Sequence, residues 1–184
     1  SSMIEIFQTK KNNKKLLEDC LIITENKESP LKQIANSYNC KILHHHPEIG
    51  GRFSIFSNVG LLPASIAGLD IVKIREGAKN LISEVKNGHF KEHLISAHLM
   101  LFLQNTRKIN LSVLMTYSDA LYYYGKWYLQ LWAESIGKNG VGITPIHAVG
   151  TSDQHSQLQL YLDGPKDKFF SFITTNHSNR GLII

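Results

Sequence analysis

Between Asp19 and His44 the chain passes through a short apolar segment, DCLIIT, a segment with helical periodicity opened by Ser29 and Pro30, and a second apolar segment, CKILH. Leu31, Ile34, Ala35 and Tyr38 recur on one face, and proline is pre-set for the first position of a helix. Strand, helix and strand in so short a span form a parallel βαβ unit, with a right-handed crossover expected. Parallel strands need their crossover helix laid against the sheet, so the fold class is α/β.

The rest of the chain continues in helices and strands. NVGLLPASIAG, residues 58 to 68, reads as an apolar helix with Pro63 in its first turns, and 70 to 86 and 90 to 105 read as two more. The last carries Leu94, Ile95, Leu99, Leu101 and Phe102, which core packing explains; His93 and His98 are expected to be buried or capping rather than ligating. Lys108 to Asn110 is the candidate domain boundary. LSVLMT, residues 111 to 116, opens a second strand and helix series, and Lys168 to Thr174 reads as a further strand. Residues 1 to 18 form a polar, lysine-rich lead-in whose Ser1 and Ser2 read as an expression remnant, and the tail NHSNRGLII has no legible partner.

Composition excludes several classes. No apolar run reaches the roughly 18 residues of a membrane span, and the first residues lack the apolar centre of a signal peptide, so no membrane partner is expected. Cys20 and Cys40 are the only cysteines and form no CxxC pair, which fits a reducing cytoplasm. The net charge of +5 draws on Lys10, Lys11, Lys14 and Lys15, a solvated segment rather than a nucleic-acid surface.

Residues 126 to 156 join a helix, a glycine turn, a strand and a second helix start without padding. A helix from about Asp119 to Ser135 places Leu121, Tyr124, Tyr128, Leu131 and Trp132 on its apolar side, and Gly137, Lys138 and Gly140 stop it. Glu134 therefore falls in the last turn. The carbonyl end of a helix is partially negative, which disfavours a carboxylate there and makes it a stronger proton acceptor, as a general base must be. Gly142 to Ala148 reads as a buried strand, and Thr151, Ser152 and Asp153 offer cap oxygens to a helix through His155 to Leu162. The amide end of that helix disfavours imidazolium, so His155 is expected to be neutral and able to pass a proton either way. A solvated glutamate and a capping histidine are the alternatives, and spacing alone leaves them open. The six aromatics from Tyr122 to Trp132 run round more than one helix face, so burial on two sides is expected, partly against another subunit.

His44, His45 and His46 suggest a metal, but neighbours on a strand point to opposite faces and cannot converge on one ion. After them, Gly50 and Gly51 allow a tight turn at the carboxyl end of the strand, where α/β sheets gather ligands, and Arg52 is presented there. Its guanidinium suits a phosphate or a developing oxyanion; a surface ion pair is the alternative.

Three segments resemble the signatures of the glucose-6-phosphate isomerase family, in the family's order: GGRFSIFSNVGLLP at 50 to 63, QLWAESIGK at 130 to 138 and GTSDQHSQLQLYLDG at 150 to 164. The likeness runs from about Cys20 to about Phe172. It implies a cytoplasmic homodimer of two sugar-isomerase (SIS) type domains, doubly wound and flavodoxin-like. The implied substrate is a sugar phosphate, glucose 6-phosphate being interconverted with fructose 6-phosphate without cofactor or metal. On its motifs Glu134 matches the base that moves a proton between C2 and C1, and Arg52 matches the arginine that stabilises the enediolate. His155 matches the histidine that assists ring opening and reaches the site from the neighbouring subunit. Gly51, Arg52 and Gln154 fall at substrate-binding positions. The family's Ser/Thr-rich phosphate loop and its catalytic lysine have no counterpart in these residues. The chain is therefore expected to be the middle of the enzyme, residues 19 to 109 ending one SIS domain and 110 to 184 beginning the next. A noncatalytic SIS-type module that binds a phosphosugar or mediates dimerisation is the alternative.

Overall fold

The computed structural model of the chain describes residues 20–89 and 91–175, apart from the side chain of His93. The expected lead-in, Asp19, the tail from Asn176 and the expectation for His93 lie outside the described residues. Two compact units divide between Ser83 and Glu84.

In the first unit, β1 (Leu21–Thr24) and β2 (Lys41–His44) pair in parallel, Leu21 beside Lys41 and Thr24 beside His44. The crossover is α1 (Pro30–Ser37), with Pro30 at its start and the Ser29 hydroxyl accepting from the Lys32 amide at 3.2 Å. The helix buries Ala35 completely. Beyond β2 come a 3-10 turn, Gly51–Phe56, and α2 (Asn58–Ile66). A Cβ on Gly60 would overlap the backbone of Ile55, so only glycine lets α2 approach the turn this closely. The helix α3 (Ile71–Lys86) buries no residue.

In the second unit, α4 (Lys91–Arg107) is followed by β3 (Leu111–Thr116), a 3-10 turn at Asp119–Leu121, α5 (Tyr122–Ile136), β4 (Thr144–Val149), α6 (Ser152–Asp163) and β5 (Lys168–Ile173). The three strands are parallel in the order β4-β3-β5. The chain thus adds β4 on one side of β3 and crosses back to add β5 on the other, which is the doubly wound pattern. Val113, Met115 and Ala148 form the core of one face, covered by Tyr161 of α6 and by Phe170. On the other face α5 lies against His147. Covered on both sides, β3 is buried from Ser112 to Thr116, with the apolar Val113, Leu114 and Met115 between two buried hydroxyl residues.

Several expectations need correction. The helix expected from Asp119 begins as a 3-10 turn, and the strand expected from Gly142 begins at Thr144, because Gly140 and Gly142 take positive φ and belong to the turn. On α4, Leu94, Ile95, Leu99, Leu101 and Phe102 are 43% to 59% exposed, not core, and His98 is exposed with Nδ1 donating to the Leu94 carbonyl at 2.8 Å. Tyr123 on α5 is 81% exposed, so burial on two sides does not hold within this chain. Periodicity marks an apolar face but carries no information on what covers it. Among the described residues no helix is long and apolar enough to cross a membrane.

Candidate active site

Glu134 is placed by the way α5 docks on the sheet. Near the start of the helix, Gly125 and Tyr122 stand against His147 in the middle of β4. Near its end, Trp132 Nε1 donates to the Ile143 carbonyl, just ahead of β4, at 2.8 Å. The helix therefore runs antiparallel to the strand and carries Glu134 to the strand's amino end. Its carboxylate is exposed, and Gln130, one turn earlier, brings Nε2 to 3.5 Å from Glu134 Oε2.

His155 is at the other end of the same strand. It lies in the first turn of α6, exposed, with its amide bonded to the Thr151 carbonyl at 2.9 Å. The cap oxygens act differently from expectation: Thr151 makes no side-chain cap bond, and Asp153 Oδ2 instead accepts from the Val149 amide at 2.7 Å, tying the turn to the end of β4. The Tyr117 hydroxyl donates to Gln154 Oε1 at 2.6 Å, so this half-buried amide turns its NH₂ group toward the other side. With strands rising about 3.3 Å per residue, β4 alone separates the two ends by roughly 17 Å. Within one chain the structure does not bring Glu134 and His155 together.

Arg52 belongs to the first unit, in the 3-10 turn beyond β2. Asn58 Nδ2 donates to the His44 carbonyl at 3.0 Å and fastens the region to the carboxyl end of the strand. Ser54 and Ser57 hydroxyls donate to the Gly51 and Ser54 carbonyls at 2.7 Å, bracing the turn from within. Arg52 is half-buried, its guanidinium 4.6 Å from the centre of the Phe53 ring. Neither Gly50 nor Gly51 takes a positive φ, so the glycine pair does not make the turn by conformational freedom. What Gly51 contributes is space, since nothing stands within 4 Å of where its Cβ would be.

His44 ends β2 and His45 and His46 lie beyond it, so the alternation expected of strand neighbours does not apply to them; all three line one cleft of about 450 Å³ with Glu25, Asn26 and Lys27. His45 Nε2 donates to the Ile49 carbonyl at 2.8 Å, and His46 Nδ1 accepts from the Glu48 amide at 3.3 Å. Among the described residues no group of three or more His, Cys, Asp or Glu is arranged to hold a metal.

Two contacts have no counterpart in the sequence reading. Gln130 was legible in principle, because residues four apart on a helix are neighbours. The bond from Tyr117 to Gln154 joins residues 37 positions apart and has no local signal; it follows from the pairing of β3 with β4.

Comparison with known proteins agrees with the motifs. A family model described as Phosphoglucose isomerase matches residues 2–182. Glucose-6-phosphate isomerase of Rubrobacter xylanophilus is 42% identical over 161 residues, 87% of this chain and 37% of that protein. A probable glucose-6-phosphate isomerase of Methanococcus maripaludis is 41% identical over 176 residues, 95% of this chain and 40% of that protein. A hypothetical protein from Thermus thermophilus, known from its crystal structure, superposes with a TM-score of 0.79 at 32% identity, over 92% of this chain and 42% of that one. The chain thus spans about two fifths of the length of these relatives.

Proposed function

Because the chain belongs to the phosphoglucose isomerase family, we propose that it forms part of an enzyme that interconverts glucose 6-phosphate and fructose 6-phosphate. Glu134 is the base: its carboxylate takes the proton from C2 of the open-chain aldose and returns it to C1 through an enediolate. Arg52 faces the developing negative charge, which a fixed guanidinium stabilises without a proton of its own to lose. His155 moves the proton that opens the sugar ring, with Gln154 beside it as a hydrogen-bonding partner of substrate. Gly51 leaves room for the sugar to approach Arg52.

The observation that carries this reading is the family match over residues 2–182, a span that includes Glu134, Arg52 and His155. The separation of Glu134 from His155 along β4 supports a homodimer, in which one copy supplies the base and its partner the histidine. Residues 19 to 109 then close one SIS-type domain and 110 to 184 open the next. Cys20 and Cys40, both thiols in the structure, fit a reducing cytoplasm.

The test is proton NMR of fructose 6-phosphate in heavy water with the purified chain. Deuterium entering C1, glucose 6-phosphate growing in, and both vanishing in Glu134→Gln are the expected results. A folded chain that promotes neither would mean that these residues do not suffice for the reaction and are a part of an isomerase whose site needs further segments. Exchange that survives Glu134→Gln would overturn the assignment of the base.

A further inference from the structure

His147 has no part in the chemistry above, yet it is the residue on which α5 rests. Gly125 is buried near the start of that helix, and a Cβ there would overlap the imidazole ring itself. The ring is held from behind by a hydrogen bond between its Nε2 and Oγ1 of Thr116, at 3.0 Å, and Thr116 is completely buried. Tyr122 closes one side, its ring centre 5.7 Å away at a tilt of 59°.

We propose that His147 is a positioning residue for α5: its neutral ring, wedged between Gly125 and Thr116, sets where the helix bearing Glu134 lies, and a charge on the ring loosens that helix. The groups that face it account for the effect. From α5 comes Lys126, whose ammonium sits 5.3 Å from the Tyr122 ring centre, and the Tyr122 phenol itself. From β3 comes only the uncharged Thr116, and from the start of α6 comes Asp153, already bonded to the Val149 amide. Burial, followed by Lys126, pushes the His147 pKa below its ordinary value, against an opposing pull from Asp153. An imidazolium here would be half-desolvated next to a like charge, and the helix can relieve both only by moving away and admitting water. The consequence for catalysis rests on Glu134 as the base; the seat itself does not.

Both tryptophans of the chain, Trp127 and Trp132, lie on α5, so their emission reports the position of this helix alone. The experiment follows tryptophan emission from about pH 8 to about pH 5, with imidazole resonances recorded in parallel. A red shift on acidification is expected, with a midpoint below about 6.5, tracking the His147 resonances and abolished in His147→Gln, while the far-ultraviolet circular dichroism stays constant. The same red shift in His147→Gln, or a flat wild-type emission, would overturn the proposal. Should His147→Gln not fold, the wild type decides by itself: emission and His147 resonances with different midpoints exclude this ring as the cause. Activity enters at no point, so a failure here is distinct from a failure of the isomerase reading.

Discussion

Glu134 and His155 stand at opposite ends of one strand: the first ends the helix that docks beside Ile143, the second begins the helix that leaves Val149. In the proposed homodimer, a site that uses both draws them from two copies of the chain. Glu134→Gln and His155→Ala chains, each inactive, are therefore expected to recover part of the exchange activity when mixed. The readout is deuterium entry at C1 of fructose 6-phosphate. A mixture as inert as its components would argue against a shared site.

Gln130→Ala removes the amide that approaches the Glu134 carboxylate at 3.5 Å. A hydrogen bond this long and exposed contributes about 0.5–1 kcal/mol, so the exchange rate is expected to fall about two- to fivefold. Thermal stability should stay unchanged, because both side chains face solvent.

Tyr117→Phe keeps the ring, which lies 6.3 Å from Phe172 between centres, and removes the hydroxyl that holds Gln154 Oε1. The amide next to His155 is then free to turn. Weaker binding of a sugar phosphate, by about 1 kcal/mol, is expected from isothermal titration, without a matching loss of stability.

Met115→Ala cuts into the core formed with Val113 and Ala148, beneath Tyr161 and Phe170. Loss of about 2–5 kcal/mol is expected in urea unfolding, since the side chain is 2% exposed and its neighbours can only partly collapse. Gly125→Ala disturbs the opposite face by overpacking, pushing α5 off His147 at a cost of about 1–3 kcal/mol.

Stability should also depend on pH through His147. Its folded pKa is lowered by burial, so in the interval between that value and about 6.5 the unfolded chain holds a proton that the folded chain does not. Stability then rises with pH across this interval, is complete above it, and is lost as the pH falls toward the folded value. Thermal unfolding of wild type and His147→Gln should differ most in this slope; parallel curves would assign the dependence to other groups.

The strands were legible because each is a compact apolar run between polar breaks. Leu111–Thr116 begins and ends where its pattern does, and Ser29 with Pro30 marks the start of α1 through capping chemistry that needs no distant partner. The candidate site residues were legible as types at motif positions, through a likeness spread over three segments. The apolar face of α4 was legible as a face but misread as core, because Leu94, Leu99 and Phe102 have the same spacing whether or not anything lies over them.

Taken alone, the sequence determined what depends on neighbours along the chain: the alternation of strand and helix, the Ser29 cap of α1, the glycine turn after Ile136, and which residues stand as candidates, Glu134, Arg52 and His155. Tertiary structure decided what depends on residues brought together from afar. The order β4-β3-β5 sets α5 and α6 on opposite faces, carries Glu134 and His155 to opposite ends of a strand, joins Tyr117 to Gln154, and wedges His147 beneath Gly125. Local periodicity encodes which side of an element is apolar; only the pairing of strands distant in sequence selects which side chains meet.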